Sequence, residues 1–267
     1  PHRLMRTPLL LFLMLCSMRS TAQTGDSIRT ILGHFDLFTT DELGNVYALK
    51  GDELKLFNPE GKSWLRNSLK TFGRITHIDV FQSLKPLVFA AEQGQLAMLD
   101  NTLAVQGSVI NLPREGYPQV DLACASVQNF FWFFDPRELQ LVRVNSKLST
   151  VNASGRLDQL LGFTPRPVQM QELDNWLYVN DPAHGILVFD LFATYYKTIP
   201  ITGATSIEVR GNDLWYVQDS ILHRYDKLTF ASEHFPLPGA GVVRDARIER
   251  GRVYILREDR IEIVQPG

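Results

Sequence analysis

The residues with most chemical potential are spread thinly along the chain. Asp135, Asp181 and Asp219 stand in short polar segments, with Arg137 and His184 close by and Tyr117 and Phe163 expected as exposed aromatics in the two longest connecting segments. Carboxylates, a cation and an imidazole in loops suit binding of a cationic ligand, a metal or a basic peptide. The same Asp residues suit plain turn chemistry, because an Asp side chain can cap the backbone two residues on. A second set of acids, Asp36, Asp79, Asp121, Glu208 and Asp245, lies with His77 in apolar segments. No two of these sit at a metal-ligand interval such as His-x-x-x-His, so no metal ligand is assigned and no cofactor is expected. A Gly-x-Ser-x-Gly elbow, a phosphate loop and a dinucleotide fingerprint are all absent, which leaves no catalytic residue to assign.

Elements must position these groups, and composition narrows which. The chain has 267 residues, 27 Lys+Arg against 29 Asp+Glu, and 45% hydrophobic residues, enough for a sizeable core. Near-neutral charge supplies no basic excess for nucleic acid. Arg3 and Arg6 followed by the apolar run Leu9 to Leu15 and by Ser20-Thr21-Ala22 read as a secretory signal peptide over residues 1–22. Its apolar run is too short to span a bilayer, so no transmembrane segment is expected after cleavage. Leu15 before Cys16 does not fit a lipidation signal. Removal of 1–22 takes three arginines and no acid, moving the formal net charge from −2 to −5. It also removes Cys16, leaving Cys124, in Leu-Ala-Cys-Ala, as a small buried hydrophobe. Residues 23–267 are expected to form one domain.

That domain is repetitive. An aromatic recurs at Tyr47, Phe89, Trp132, Tyr178, Tyr216 and Tyr254, at intervals of 42, 43, 46, 38 and 38 residues. A closing polar residue recurs at Asn58, Asp100, Asn145, Asp190, Asp226 and Gln265. Four residues before each stands an aliphatic: Leu54, Leu96, Leu141, Ile186, Leu222 and Ile261. Short runs of β-branched and aromatic residues bounded by Gly, Pro, Asn or Asp are strands and hairpins. A repeat of about 40 residues built of such strands is a β-propeller blade. The expected fold is all-β, a six-bladed propeller of four-stranded antiparallel blades. Its last blade is completed by the N-terminal strand Ile28 to Leu32, which hides both chain-end edges. Trp64 to Leu69, Val105 to Leu112 and Tyr195 to Ile201 are expected as outermost strands, and Arg156 to Leu161 as the single short helix. The run Phe130 to Phe134 is expected in a middle strand buried on both faces.

Leu177-Tyr178-Val179-Asn180-Asp181 followed by Ile186 to Asp190 resembles the strand–turn–strand of NHL-type and TolB-like six-bladed propellers. The chain also resembles short secreted propellers of Gram-negative envelopes. The resemblance implies a non-catalytic binding platform, exported to the periplasm or an outer-membrane complex, with an envelope protein or peptide as partner. Binding is expected on the face shared by the second-to-third strand turns and the blade-to-blade loops, through Tyr117, Asp135, Arg137, Phe163, Asp181, His184 and Asp219. The alternative, from a likeness to lactonase-type propellers, is a metal-dependent hydrolase or lyase acting at the channel mouth.

Overall fold

Residues 27–80, 85–239 and 241–265 are described by a computed structural model of the chain. The signal peptide expectation falls on residues outside this set. Strand β1 (Ser27–Leu32) comes first. Blade 1 follows as β2 (Leu37–Thr40), β3 (Val46–Lys50), β4 (Glu53–Phe57) and β5 (Ser63–Ser68). Blade 2 is β6 (His77–Asp79), β7 (Leu87–Ala90), β8 (Gln95–Met98) and β9 (Ile110–Asn111). Blade 3 is β10 (Leu122–Ser126), β11 (Phe130–Asp135), β12 (Gln140–Val144) and β13 (Thr150–Ala153), followed by the helix α1 (Leu157–Leu161). Blade 4 is β14 (Gln169–Leu173), β15 (Trp176–Asp181), β16 (Gly185–Asp190) and β17 (Tyr195–Ile199). Blade 5 is β18 (Ser206–Arg210), β19 (Asp213–Gln218), β20 (Ile221–Asp226) and β21 (Ser232–Phe235). Blade 6 is β22 (Asp245–Glu249), β23 (Arg252–Leu256) and β24 (Arg260–Gln265).

Each blade is one antiparallel four-stranded sheet, and the fourth place in blade 6 is taken by β1. β1 pairs with β24 from Ser27 opposite Gln265 to Leu32 opposite Arg260. The chain is thus a six-bladed β-propeller closed by its N-terminal strand. Closure matters because a ring opened at this point would expose two unpaired strand edges.

The core is six wedges between blades rather than one central mass. Alternate residues of each strand point to opposite faces, so each second strand feeds two wedges. Phe131 and Phe133 pack toward blade 2, while Trp132 and Phe134 pack toward blade 4. All four are buried, as the sequence pattern requires of a strand covered on both sides. The six recurring aromatics and the six recurring aliphatics are likewise all buried. A fully buried aliphatic of this kind contributes about 1.5–3 kcal/mol. Cys124 is fully buried opposite Trp132, and burial pushes its thiol well above the usual range.

The recurring polar residue starts an Asx turn in five blades, of one form in blades 1 to 4. Asn58 Oδ1 accepts from the backbone N–H of Glu60 and Lys62 at 3.1 and 2.9 Å. Asp100, Asn145 and Asp190 do the same at their own turns, while Asp226 accepts from Leu228 and Thr229 N–H in a turn one residue longer. Each turn also carries a residue at positive φ: Gly61, Leu103, Leu148, Ala193 and Phe230. The Asx bonds hold non-glycine residues in that costly region. Gln265 breaks the pattern because β1 arrives there from the other end of the chain.

One expected strand is corrected. Val105 to Leu112 contains only the two-residue β9 plus an isolated bridge between Leu99 and Val105. Gly107 lies between them at a φ of 78°, which turns the chain away from an extended path.

Candidate functional site

Three regions compete: the channel, the loop face and the opposite face. The first strand of every blade faces the channel, where a cavity of about 480 Å³ is lined by β2, β6, β14, β18, β22 and adjoining residues. Several polar side chains there reach sideways to the backbone of the next blade. Gln169 accepts from Ile207 N–H at 2.8 Å and donates to Ile207 C=O at 2.8 Å. Gln171 repeats this one step along on Val209, at 2.8 and 3.1 Å. Asp79 accepts from Ala125 N–H at 2.7 Å, and Glu208 accepts from Ile248 N–H at 2.9 Å. Asp245 accepts from Ser206 Oγ at 2.5 Å and pairs with Arg247 at 3.1 Å. These groups stitch neighbouring blades that share no sheet.

His77 differs. Burial lowers its pKa; Asp79 opposes that shift and Arg247 adds to it, so it is neutral near pH 7. Of the acids singled out by sequence, Asp79, Glu208 and Asp245 line the channel with His77. Asp36 instead accepts from Gly51 N–H at 2.6 Å, and Asp121 is exposed outside the cavity. Among the described residues, no three His, Cys, Asp or Glu side chains converge as metal ligands.

The second-to-third strand turns and the blade-to-blade loops do share one face. Backbone bonds join them: Leu69 N–H to Asp52, Leu112 to Gly94, Leu157 to Leu139, Gly203 to Pro182 and Gly33 to Asp259. On this face the structure gathers Phe163, Asp181 and His184. The Phe163 and His184 rings stack with centroids 3.8 Å apart and planes at 11°. His184 Nδ1 lies 3.2 Å from an oxygen of the fully buried Asp181. Asp181 also accepts from Arg166 N–H at 2.8 Å and from Ala183 N–H at 3.0 Å. The trio latches loop 154–168 onto blade 4.

The other four lie apart. Asp135 caps its own turn, accepting from Arg137 and Glu138 N–H at 2.8 and 3.0 Å. Arg137 and Asp219 stand exposed at the turns of blades 3 and 5. Tyr117 is half-buried between blades 2 and 3, edge-on to Phe133, with Oη on Leu148 C=O at 2.7 Å and Thr150 Oγ1 at 3.0 Å. The sequence expectation that Tyr117 and Phe163 are exposed loop aromatics is therefore corrected. Both rings have partners outside their own loops, Phe133 for Tyr117 and His184 for Phe163, and stacking or packing them removes apolar area from water.

A cluster of exposed aromatics sits at the opposite end of the ring, beside the third-to-fourth strand turns of blades 4 and 5. Tyr196 packs on Trp176 at 4.8 Å, and Lys197 Nζ lies 5.6 Å from Tyr196 and 5.7 Å from Phe230. Phe230 meets Tyr225 at 6.4 Å, and Leu228 and Phe192 project nearby in the two turns. Tyr196, Phe230, Leu228 and Phe192 are each more than 60% exposed. Lys227, behind this patch, donates to Tyr178 Oη at 2.9 Å. Sequence reasoning passed over these residues because their run of strand and turn looked like ordinary blade structure. The signal was the aromatic pair Tyr195-Tyr196 in an outermost strand, where only one face can be covered.

Strand order and ring closure together define a six-bladed β-propeller. No family model matches the sequence, and no curated protein matches it. Solved structures do match in shape. A streptogramin B lyase superposes with a TM-score of 0.63 at 11% identity, covering 90% of this chain and 97% of that one. A Bacteroides fragilis protein described as exported gives 0.59 at 8% identity, over 92% and 96% of the chains. The WD40 domain of Neurospora crassa Pan2 gives 0.56 at 12% identity, over 87% and 75%. At these identities the likeness establishes the propeller fold alone.

Proposed function

We propose that the chain is an exported, non-catalytic docking platform of the bacterial cell envelope. Its partner is a protein that presents an apolar surface with acidic neighbours. The observation that carries this reading is the exposed aromatic patch of Tyr196 and Phe230 on blades 4 and 5, backed by half-buried Trp176 and bridged by Lys197. Exposed aromatics clustered beside a cation are the composition of binding hot spots, and lysines favour an acidic partner. The channel groups Gln169, Gln171, Asp79, Glu208 and Asp245 support the same reading, because their polar atoms serve the blade seams. The basic and apolar start of the sequence and the shape shared with a protein described as exported support the envelope address. No helix among the described residues is long and apolar enough to cross a membrane.

The test is gentle cross-linking of cells followed by purification of a tagged chain, with wild type, Tyr196→Ala/Phe230→Ala and Arg137→Glu compared. Loss of a stoichiometric partner in the double variant alone supports the patch. Loss in Arg137→Glu alone moves docking to the loop face with Asp135 and Asp219. Recovery of the wild-type chain without any partner overturns the platform.

His77 favours a second reading, a lyase or hydrolase acting in the channel. A neutral imidazole beside a carboxylate, facing Arg247 in a cavity of ligand size, is a fitting general base. The shape likeness to a streptogramin B lyase is consistent with it. Turnover abolished by His77→Gln in a folded protein is its signature.

A further inference from the structure

Blade 5 carries a pair of histidines that neither the seams nor the docking patch use. His223 on β20 and His234 on β21 are direct cross-strand partners, and their ring centroids lie 6.4 Å apart. Side chains directly opposite on antiparallel strands project to the same face. We propose that His223 and His234 form a two-imidazole binding site for a borderline divalent transition metal, Zn²⁺ or Cu²⁺, with solvent completing the coordination.

The geometry suits a shared ion. With Zn–N bonds of about 2.1 Å, two ligating rings have centroids within about 6.5 Å of each other. The observed separation lies at that limit, and a small rotation of His234, exposed on a strand whose four residues are all exposed, bends the N–metal–N angle toward tetrahedral. His223 is already held. Its ring stacks on Tyr216 at 4.8 Å with planes at 11°, and the Gln218 backbone is a hydrogen-bond partner of the imidazole. A ligating imidazole is typically oriented in this way by a bond from its second nitrogen. Imidazole donors select zinc and copper over magnesium and calcium. The ion would clip the outermost strand of blade 5, whose outer edge is unpaired, to its neighbour.

The experiment is calorimetric titration of the untagged, EDTA-stripped chain with Zn²⁺ and with Cu²⁺ at pH 7.5. Wild type, His223→Ala and His234→Ala are compared, with circular dichroism to confirm that each is folded. The expected result is one ion per chain and at least tenfold weaker binding in either variant, with a metal-dependent rise in Tm seen in wild type only. The electron paramagnetic spectrum of the Cu²⁺ form should show two nitrogen ligands. Equal affinity in wild type and His234→Ala overturns the site, as does wild-type binding no tighter than that of the doubly substituted chain. Because His234 is exposed, its replacement leaves the fold intact and the test decisive.

Discussion

The two faces of β14 hold the ring together by different chemistry. Toward blade 5, Gln169 and Gln171 each pair with one residue of β18 through neutral amide bonds. Toward blade 3, Glu172 is 1% exposed and accepts from Ser126 Oγ, Val127 N–H and Trp132 Nε1 at 2.5, 3.0 and 2.6 Å. Ser126 in turn accepts from Arg143 Nε at 2.9 Å, and the guanidinium lies 4.8 Å from the Phe130 ring centre. Arg143 Nη2 is buried and makes no hydrogen bond. The neutral seam is a repeated, self-contained device. The seam toward blade 3 is a single network whose members depend on one carboxyl group, so damage there should be larger and less local.

Glu172→Ala should do the most harm, about 3–5 kcal/mol, because it strands three buried donors and leaves Arg143 without its nearby acid. Urea unfolding measures it, and a loss below about 1 kcal/mol would erase the contrast between seams. Gln171→Ala should cost about 1–3 kcal/mol, the penalty for leaving the Val209 N–H and C=O unpartnered. Glu at position 171 sharpens the comparison, since a carboxylate can still accept from Val209 N–H but cannot donate to its C=O. Tyr117→Phe, which removes only the hydroxyl bonds to Leu148 and Thr150, should cost about 1 kcal/mol with the Phe133 contact retained. The least effect at neutral pH comes from His77. Its folded pKa is depressed, so the unfolded chain binds the extra proton first as pH falls below about 6.5. Its neutral burial therefore costs nothing above that pH, and stability is lost as pH drops from there toward the folded pKa. His77→Gln should flatten that part of the stability profile measured between pH 7.5 and 5.

Blade rhythm was legible because its determinants are local. The aromatic, the aliphatic and the Asx turn each act within a few residues of their own position, and all recur in register from Tyr47 to Ile261. The N-terminal closure was legible for a related reason, since a spare apolar strand and a last blade lacking one imply each other. Val105 to Leu112 was misread because its apolar residues outweighed a single glycine. Candidate binding residues fared unevenly. Asp181 and His184 are near neighbours in sequence, yet their ring partner Phe163 lies on another blade's loop. Tyr117 reads as exposed in sequence because nothing within its own loop covers it; Phe133, Leu148 and Thr150 of blade 3 do so.

By itself the sequence determined the number of blades, the strand order within each, the closing strand and the burial of Cys124 and, in the Phe130–Phe134 run, of all but the half-buried Phe130. These follow from side-chain period and turn chemistry, which depend on short separations along the chain. Only the tertiary structure decided which polar side chains stitch the blades and which loop aromatics are covered. It also decided where exposed aromatics meet and which two histidines face each other. Those outcomes depend on residues brought together from different strands and blades: Gln171 and Val209, Phe163 and His184, Lys197 and Phe230. Solvent exclusion and hydrogen-bond pairing act on distances in space, and ring closure sets those distances.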